Sequence, residues 1–459
     1  MNIALKGVVA AALVMGMSSC HIYQKYQTPE DTPVTKEYSE ALKQGVDSTA
    51  FGNLPWQEVF TDPLLVDLID RALENNTNLR NAQLTVESAQ AALLGAKLAY
   101  LPSVTLAPNG AGAKYGSGSM GWSYQLPAQA SWEIDIFGKL LNSKRSAQAA
   151  VLQSQAYQQA VRSQIISAVA TTYYTLSAVK SQLTLSRNTS ELWKETVQTM
   201  RDLKEAGRTT EAAVMQSEAQ YFSILASITD LEASVTQLNN TMSLLLNVMP
   251  QEWTVAENAT LNAPAFAQNG VAISMLAARP DVAAAEMNLA QAYYATNSAR
   301  AAFYPGLTIT ANGGFTNLLG SMIKNPGDWF FQLAGSLTAP LFSRGRNIAN
   351  LKAAKAQQQS ALNSFEYTLL SAASEVSNAL TVYDKCNEKS AFLTSQVADL
   401  QQAVTMTNDL FTYSTGDVDY LNVITAQQSL LGAQISLISC NQARDLAVIN
   451  LYQSLGGGR

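Results

Sequence analysis

The residues of this chain whose types and spacing could do chemistry are few. The first is Cys20, which follows Ser18-Ser19, an apolar run from Gly7 to Met17 and a single charge at Lys6. A charged start, a short apolar core and small residues before a boundary make a secretory signal, and the run is too short for a membrane helix. A cysteine just after that boundary suits thioether lipidation and acylation, because an unpaired exposed thiol is a liability outside the cytosol. Residues 1–19 then form the signal peptide, 440 of the 459 residues remain, and membrane lipid becomes a partner. The second place is Gly116-Ser117-Gly118-Ser119-Met120-Gly121, which has dinucleotide-fingerprint spacing. It precedes an alternating strand and opens no helix, so a phosphate would find no helix N-terminus to sit on, and it reads as a glycine-rich loop. His21 is the only histidine and follows the anchor, which leaves no Ser/His pair and no histidine-bearing metal site. An enzyme is therefore not expected, nor a cofactor, nor a resident metal.

Two further cysteines, Cys386 and Cys440, read as small buried residues in helices. If their helices meet at a turn near Gly416, they stand about 30 and about 24 residues from it, a height difference of roughly 9 Å at helical rise. A bridge needs Cα atoms within about 7 Å, so they are expected to stay unbridged.

The elements that carry these residues follow from composition. Charged residues make up 14% of the chain and hydrophobic ones 47%, yet no apolar stretch is long enough for a membrane helix. If the chain crosses a membrane, it does so with strands. A net charge of −6 argues against nucleic acid as a partner, because backbone phosphates need a basic surface.

Self-comparison shows two halves. Leu98-Ala99-Tyr100-Leu101-Pro102 with Val104-Thr105-Leu106 finds its counterpart in Ala301-Ala302-Phe303-Tyr304-Pro305 with Leu307-Thr308-Ile309. The stretch ending in Ile136-Phe137-Gly138-Lys139 matches Pro340 to Gly345, and Gly207 with Met215 to Ala219 matches Gly416 with Ile424 to Gln428. After a segment 20–60, the first repeat (61–270) is expected to hold a helix, two strands near 103–137 and long helices over 139–206 and 208–249. The second (271–459) is expected to hold a helix over 280–302, two strands near 306–342 and helices over 346–415 and 417–455. Each first long run lacks Pro and Gly, and about 70 residues at helical rise make a helix on the order of 100 Å long. Small, polar-rich faces such as Ser146 to Ala150 and Ala353 to Gln357 suit a coiled assembly with one wet side.

Between the helices the residues alternate. Trp329, Phe331, Leu333, Gly335 and Leu337 share one face against Gln332, Ser336 and Thr338; Trp122, Tyr124, Leu126, Trp132, Ile134 and Ile136 oppose Gln125, Gln129, Ser131, Glu133 and Asp135. Period two with aromatics at the ends is what a lipid-facing barrel strand requires, and an ordinary half-buried sheet has the same pattern. About four strands per chain cannot close a barrel, since the smallest membrane barrels have about eight and open edges do not exist in hydrocarbon. Three chains supply about twelve strands, with the long helices continuing them as a tube.

In this frame the sequence resembles the TolC family of outer-membrane efflux factors, in its lipoprotein branch serving pumps of the resistance-nodulation-division (RND) class. The resemblance runs through Trp56, Phe60, Asp62 and Pro63, Asn75 to Leu79, Ala278-Arg279-Pro280-Asp281-Val282 with Ala285 and Glu286, Ser131 to Gly138, and the terminal Leu455-Gly456-Gly457-Gly458. It implies a mainly α protein with membrane β: a homotrimer whose 12-stranded β-barrel, four strands per chain, continues into a long α-helical periplasmic barrel with a mixed equatorial domain. It also implies a periplasmic adaptor and an inner-membrane RND transporter as partners, and a lipid-anchored place in the outer membrane. A passive exit duct is the expected function. The channel of a type I protein-secretion system shares this architecture, and a periplasmic structural coiled-coil lipoprotein is the alternative from another class. In the family the helix hairpins pinch the pore at their periplasmic tips, which here correspond to Gly207 and Arg208 in the first half and to Tyr413, Gly416, Asp417, Asp419 and Tyr420 in the second. In the family a basic residue and two aspartates surround the tip; Arg208 is available here, but Val418, Asn422 and Thr425 stand at the matching positions. Asp417 and Asp419 could form a substitute acidic ring, or Asp417 could simply cap the returning helix.

Overall fold

The computed structural model describes residues 22–44, 51–114, 116–261, 276, 279–317, 328–413 and 420–458. Among the described residues four α-helices come first: α1 (Pro33–Gln44), the short α2 (Trp56–Val59), α3 (Pro63–Asn75) and α4 (Thr77–Leu98). The strands β1 (Ser103–Leu106), β2 (Asn109–Ala113) and β3 (Gly121–Ile134) lead into the long pair α5 (Lys139–Glu205) and α6 (Glu211–Leu245). The second half repeats the order with α7 (Pro280–Ala301), β4 (Gly306–Asn317), β5 (Asp328–Thr338), α8 (Arg346–Tyr413) and α9 (Tyr420–Ser454).

Local chemistry sets the helix ends. Asp62 caps α3, its carboxylate accepting from the Leu64 N–H at 2.9 Å, with Pro63 at the first position, where a missing N–H costs nothing. Asn76 caps α4 by accepting from the N–H groups of Asn78 and Leu79. Thr210 caps α6 in the same way through Ala213. At the other ends, Asn247 and Gly456 take positive φ after α6 and α9, and the following N–H reaches back to close the last turn (Val248 to Ser243, Gly457 to Tyr452).

The chain divides into two compact units that cut across the repeats. The first (residues 1–35, 84–156 and 283–368) contains the sheet. All its pairings are antiparallel, in the order β1–β3–β4–β5, with β2 also on β3. The partner numbering runs from Ser103↔Ser131 through Leu106↔Ala128 to Asn109↔Gln125 and Ala113↔Gly121 without a shift. So β1 and β2 are one ladder position interrupted at Ala107-Pro108, where the proline has no N–H to donate. Five segments therefore fill the four positions that the sequence suggests.

In the second unit (residues 36–83, 157–282 and 369–459) the described residues include a larger and a smaller apolar cluster. The larger gathers Trp56, Phe60, Leu65 and Ile69 with Ile166, Tyr173 and Leu176 and with Val448, Ile449 and Tyr452. Each such large side chain, fully buried, contributes about 1.5–3 kcal/mol. Tyr452 closes it with polar bonds, its hydroxyl donating to Leu54 O at 2.7 Å and accepting from the Gly458 N–H at 2.8 Å. The C-terminal glycines are thus fixed, and Gly458 O also accepts from Gln159 and Arg162. The smaller cluster joins the hairpin α5–α6 to the hairpin α8–α9.

Candidate functional site

Two places in the molecule carry the chemistry that the sequence singles out: the faces of the sheet, and the ends of the helical hairpins.

Register fixes the faces of the sheet, since side chains alternate with period two. Leu126 pairs Phe315, Trp132 pairs Ile309 and Ile134 pairs Leu307; across the next seam Phe315 pairs Trp329, Gly313 pairs Phe331, Ala311 pairs Leu333 and Leu307 pairs Leu337. All of these share one face, and Trp329, Phe331, Leu333 and Leu337 are each more than 60% exposed. Opposite them, Gln125 pairs Thr316, Gln129 pairs Asn312, Glu133 pairs Thr308, Asn312 pairs Gln332 and Thr308 pairs Ser336. One face is thus apolar with aromatics and the other polar with an acid. An exposed apolar face of this extent is not stable in water and needs a covering phase. From Trp329 to Leu337 the strand rises about 27 Å, which at a tilt near 40° spans about 20 Å, close to the apolar band of an outer-membrane barrel.

The chain that follows Cys20 is held where the sheet meets α5. Ile22 is 1% exposed, and its carbonyl accepts from Asn142 Nδ2 at 3.0 Å. Arg145 donates to Tyr23 O at 3.0 Å, and the Tyr23 hydroxyl donates to Ile136 O just beyond β3. Further on, Thr28 donates to Glu286 Oε1 at 2.6 Å. Asn142, Arg145 and Tyr23 are functional candidates that the sequence reading missed; the one signal was Gly138, whose left-handed φ of +70° lets β3 turn into α5 beside Ile22. Cys20 itself lies outside the described residues.

At the first hairpin tip, Gly207 adopts φ +72° and ends α5; its N–H reaches Lys204 O at 2.9 Å and that of Arg208 reaches Leu203 O at 2.8 Å. Arg208 is exposed. Among the described residues three ion pairs tie the hairpin legs: Lys204 with Glu211 and Arg201 with Glu218 at 2.6 Å near the tip, and Arg187 with Glu232 at 2.6 Å further from it. Beneath the two near the tip lies the smaller cluster, in which Trp193, Met200, Val214 and Ile224 meet Val423 and Ile424, with Phe411 packed against it. Both hairpins therefore rest on shared apolar contacts near their ends. Of the expected second-tip residues, Tyr413 closes α8 and Tyr420 opens α9, while Gly416, Asp417 and Asp419 lie outside the described residues. Asn422 and Thr425 are exposed, and Val423 and Ile424 between them are buried.

Ionic order also appears at the start of α7. Arg279, whose side chain is 7% exposed, donates to Asp281 at 2.6 Å, to Glu375 at 2.8 Å and to Ser454 O at 2.7 Å. Burial works against its charge, but the two carboxylates outweigh that and its pKa is raised. In α9 the buried Asp445 has its pKa raised by burial, partly offset by Arg444 at 3.0 Å.

Cys386 and Cys440 are free thiols, as expected, but the height difference behind that expectation is overturned: Cys440 Sγ lies 3.4 Å from Cys386 O, so the two cysteines stand side by side rather than about 9 Å apart in height. The count from Gly416 assumed straight, level helices, and it is the level register that fails. Among the described residues no group of three His, Cys, Asp or Glu could hold a metal, and no helix is long and apolar enough to cross a membrane.

Comparison with known proteins defines the class. The Outer membrane efflux protein family matches residues 68–248 and 272–457, one stretch for each repeat, and the chain belongs to that family. It is 28% identical to the probable outer membrane lipoprotein SilC of Salmonella typhimurium over 95% of this chain and 94% of that one. It is equally 28% identical to the cation efflux system protein CusC of Escherichia coli (strain K12), over 97% and 98%. A solved CusC structure superposes with TM-score 0.82 at 26% identity, covering 95% of this chain and 99% of that one. The fold is that of the TolC-like outer-membrane channels, the place is the outer membrane, and the function is that of an efflux exit duct.

Proposed function

We propose that three copies of this chain form a passive duct, opened by a periplasmic adaptor and driven by an inner-membrane RND transporter. One observation carries the reading: a sheet of four ladder positions, apolar on one face and polar on the other, with β1/β2 and β5 at its two edges. Hydrocarbon tolerates no open edge, so β5 of one copy must meet β1/β2 of the next, and three copies give about twelve positions. The apolar face then meets lipid and the polar face lines water. The helices of both repeats, over 61–270 and 271–459, extend the wall into the periplasm, with the mixed equatorial segments around them. The role is transport without catalysis.

Lipidation at Cys20 belongs to the same reading. Ile22 and Tyr23 are buried or bonded beside the end of β3, which would set acyl chains at the rim of the apolar band. Cation efflux in the relative CusC makes cations the first cargo to test, and favours efflux over type I protein secretion.

Protein purified in mild detergent should have the mass of three chains by native mass spectrometry and should conduct ions in planar bilayers. A monodisperse, non-conducting monomer refutes the duct. A mature N-terminus other than Cys20, without acyl chains, removes the anchor and leaves the duct standing.

A further inference from the structure

Cys386 on α8 and Cys440 on α9 have no part in the duct as described. Cys440 is 4% exposed and its thiol donates to Cys386 O at 3.4 Å. Four residues further along α8, Ser390 donates to Asn441 Oδ1 at 3.0 Å, so the two helices are in firm register at this level. Both cysteines are thiols in the structure. Yet the family places the chain in the cell envelope, where paired thiols are oxidised rather than kept reduced.

We propose that Cys386 and Cys440 are a modification site: in the mature protein they are joined by a disulfide that clips α8 to α9. Cys386 is the partly exposed member, so its thiolate attacks one sulfur of an envelope protein disulfide and expels the other as a thiolate. The buried Cys440, as thiolate, then attacks the Cys386 sulfur, forms the Cys386–Cys440 bond and releases the carrier's second sulfur. Two electrons pass to the carrier, which ends as a dithiol holding the two protons. Burial, and next the Cys440 sulfur, push the Cys386 thiol up, while Lys389 and Arg444 pull the other way. Oxidation is therefore slow once the helices have packed, and the bond forms as they assemble. Its effect is positional. Sliding of α8 against α9 is blocked at Cys386, and only the stretch from there to Tyr413 and Tyr420 is left to move.

The full-length protein, made in a Gram-negative envelope and purified in detergent, is denatured with N-ethylmaleimide before and after reduction. We expect no alkylation at either position before reduction, alkylation of both after it, and a peptide containing Cys386 linked to one containing Cys440 by mass spectrometry. In Cys386→Ser, Cys440 should become alkylatable without reductant. The double variant Cys386→Ser with Cys440→Ser should still assemble, with a lower thermal midpoint that reductant does not change, whereas the parent should fall to that midpoint on reduction. Two alkylated thiols in the unreduced parent, or a link between copies instead of within one, overturns the clip. Outer-membrane fractionation run in parallel separates that result from a failure of the family's localisation.

Discussion

In the first repeat the helices before the sheet, away from it and back are 22, 67 and 35 residues long; in the second they are 22, 68 and 35. The strands keep no such correspondence: 4, 5 and 14 residues against 12 and 11. The helices must match because both hairpins end on one apolar cluster, and a hairpin longer by a turn would carry its own side of that cluster about 5 Å out of place. The strands need only keep register. Pro108 interrupts an edge, where losing one donor costs little. Pro127, inside β3, faces Gly314 of β4, where the chains come so close that a Cβ would stand 2.1 Å from Leu126 O. Duplication has thus kept length where two copies of an element share a contact, and let it drift where pairing is sequential.

The seam between the repeats is where that contrast breaks most readily. Gly314→Val forces β4 off β3, because the obstacle is backbone and cannot give way. Heat-resistant trimer on unboiled gels should fall at least tenfold; undiminished trimer would mean the close approach is not required.

The starts of α4 and α7 offer a matched pair. Arg279→Met removes four charged hydrogen bonds on the second side and should cost roughly 2–3 kcal/mol in denaturant unfolding. Asn76→Ala removes a cap on the first and should cost about 1 kcal/mol. Equal losses would deny that the Arg279 bonds hold the start of α7 more firmly than the Asn76 cap holds that of α4.

Gly207→Ala meets no atom within 4 Å, so its cost is the left-handed backbone alone, about 1–2 kcal/mol. Hydrogen exchange should speed up around 203–213 while the larger cluster keeps its protection. Spread of the effect to that cluster would show the tip to be coupled to the whole unit.

The smallest effect on stability is expected at the other tip. Asp417→Asn with Asp419→Asn should leave the thermal midpoint unchanged, since asparagine caps about as well, yet lower cation selectivity in single-channel recordings. Crowded carboxylates take up protons at higher pH than isolated ones, so the parent's selectivity should be full near neutrality and fade as pH falls. The double variant should show little of that fading. Unchanged selectivity in the variant would reduce these residues to caps.

Much of this was legible along the chain because it is written in local patterns. Period-two alternation from Trp329 to Leu337 specifies the face of each residue without knowledge of its neighbours. Runs without Pro or Gly ending at Gly207 specify the long helices within a few residues. The side-by-side placement of Cys386 and Cys440 was not legible, because the level at which two long helices meet depends on how they pack, which no count along one chain contains. The hold of Asn142 and Arg145 on Ile22 and Tyr23 was hidden for a related reason: it joins residues more than a hundred positions apart, and the groups accepting the bonds are backbone carbonyls, which leave no trace in residue type. The break at Ala107-Pro108 is ambiguous along the chain, since a proline at an edge and a proline ending a strand look alike from one side.

The alternation in the strands has a further effect on how the protein reaches its place. Because every second residue of β3, β4 and β5 except Phe330 is polar or small, none of them forms the continuous greasy stretch that insertion machinery in the inner membrane retains. The nascent chain can pass through that membrane completely, and its lipid-seeking surface comes into being only after the strands have paired on the far side. A strand made apolar on both faces would suit the final barrel's hydrocarbon no better and would risk stranding the chain one membrane too early.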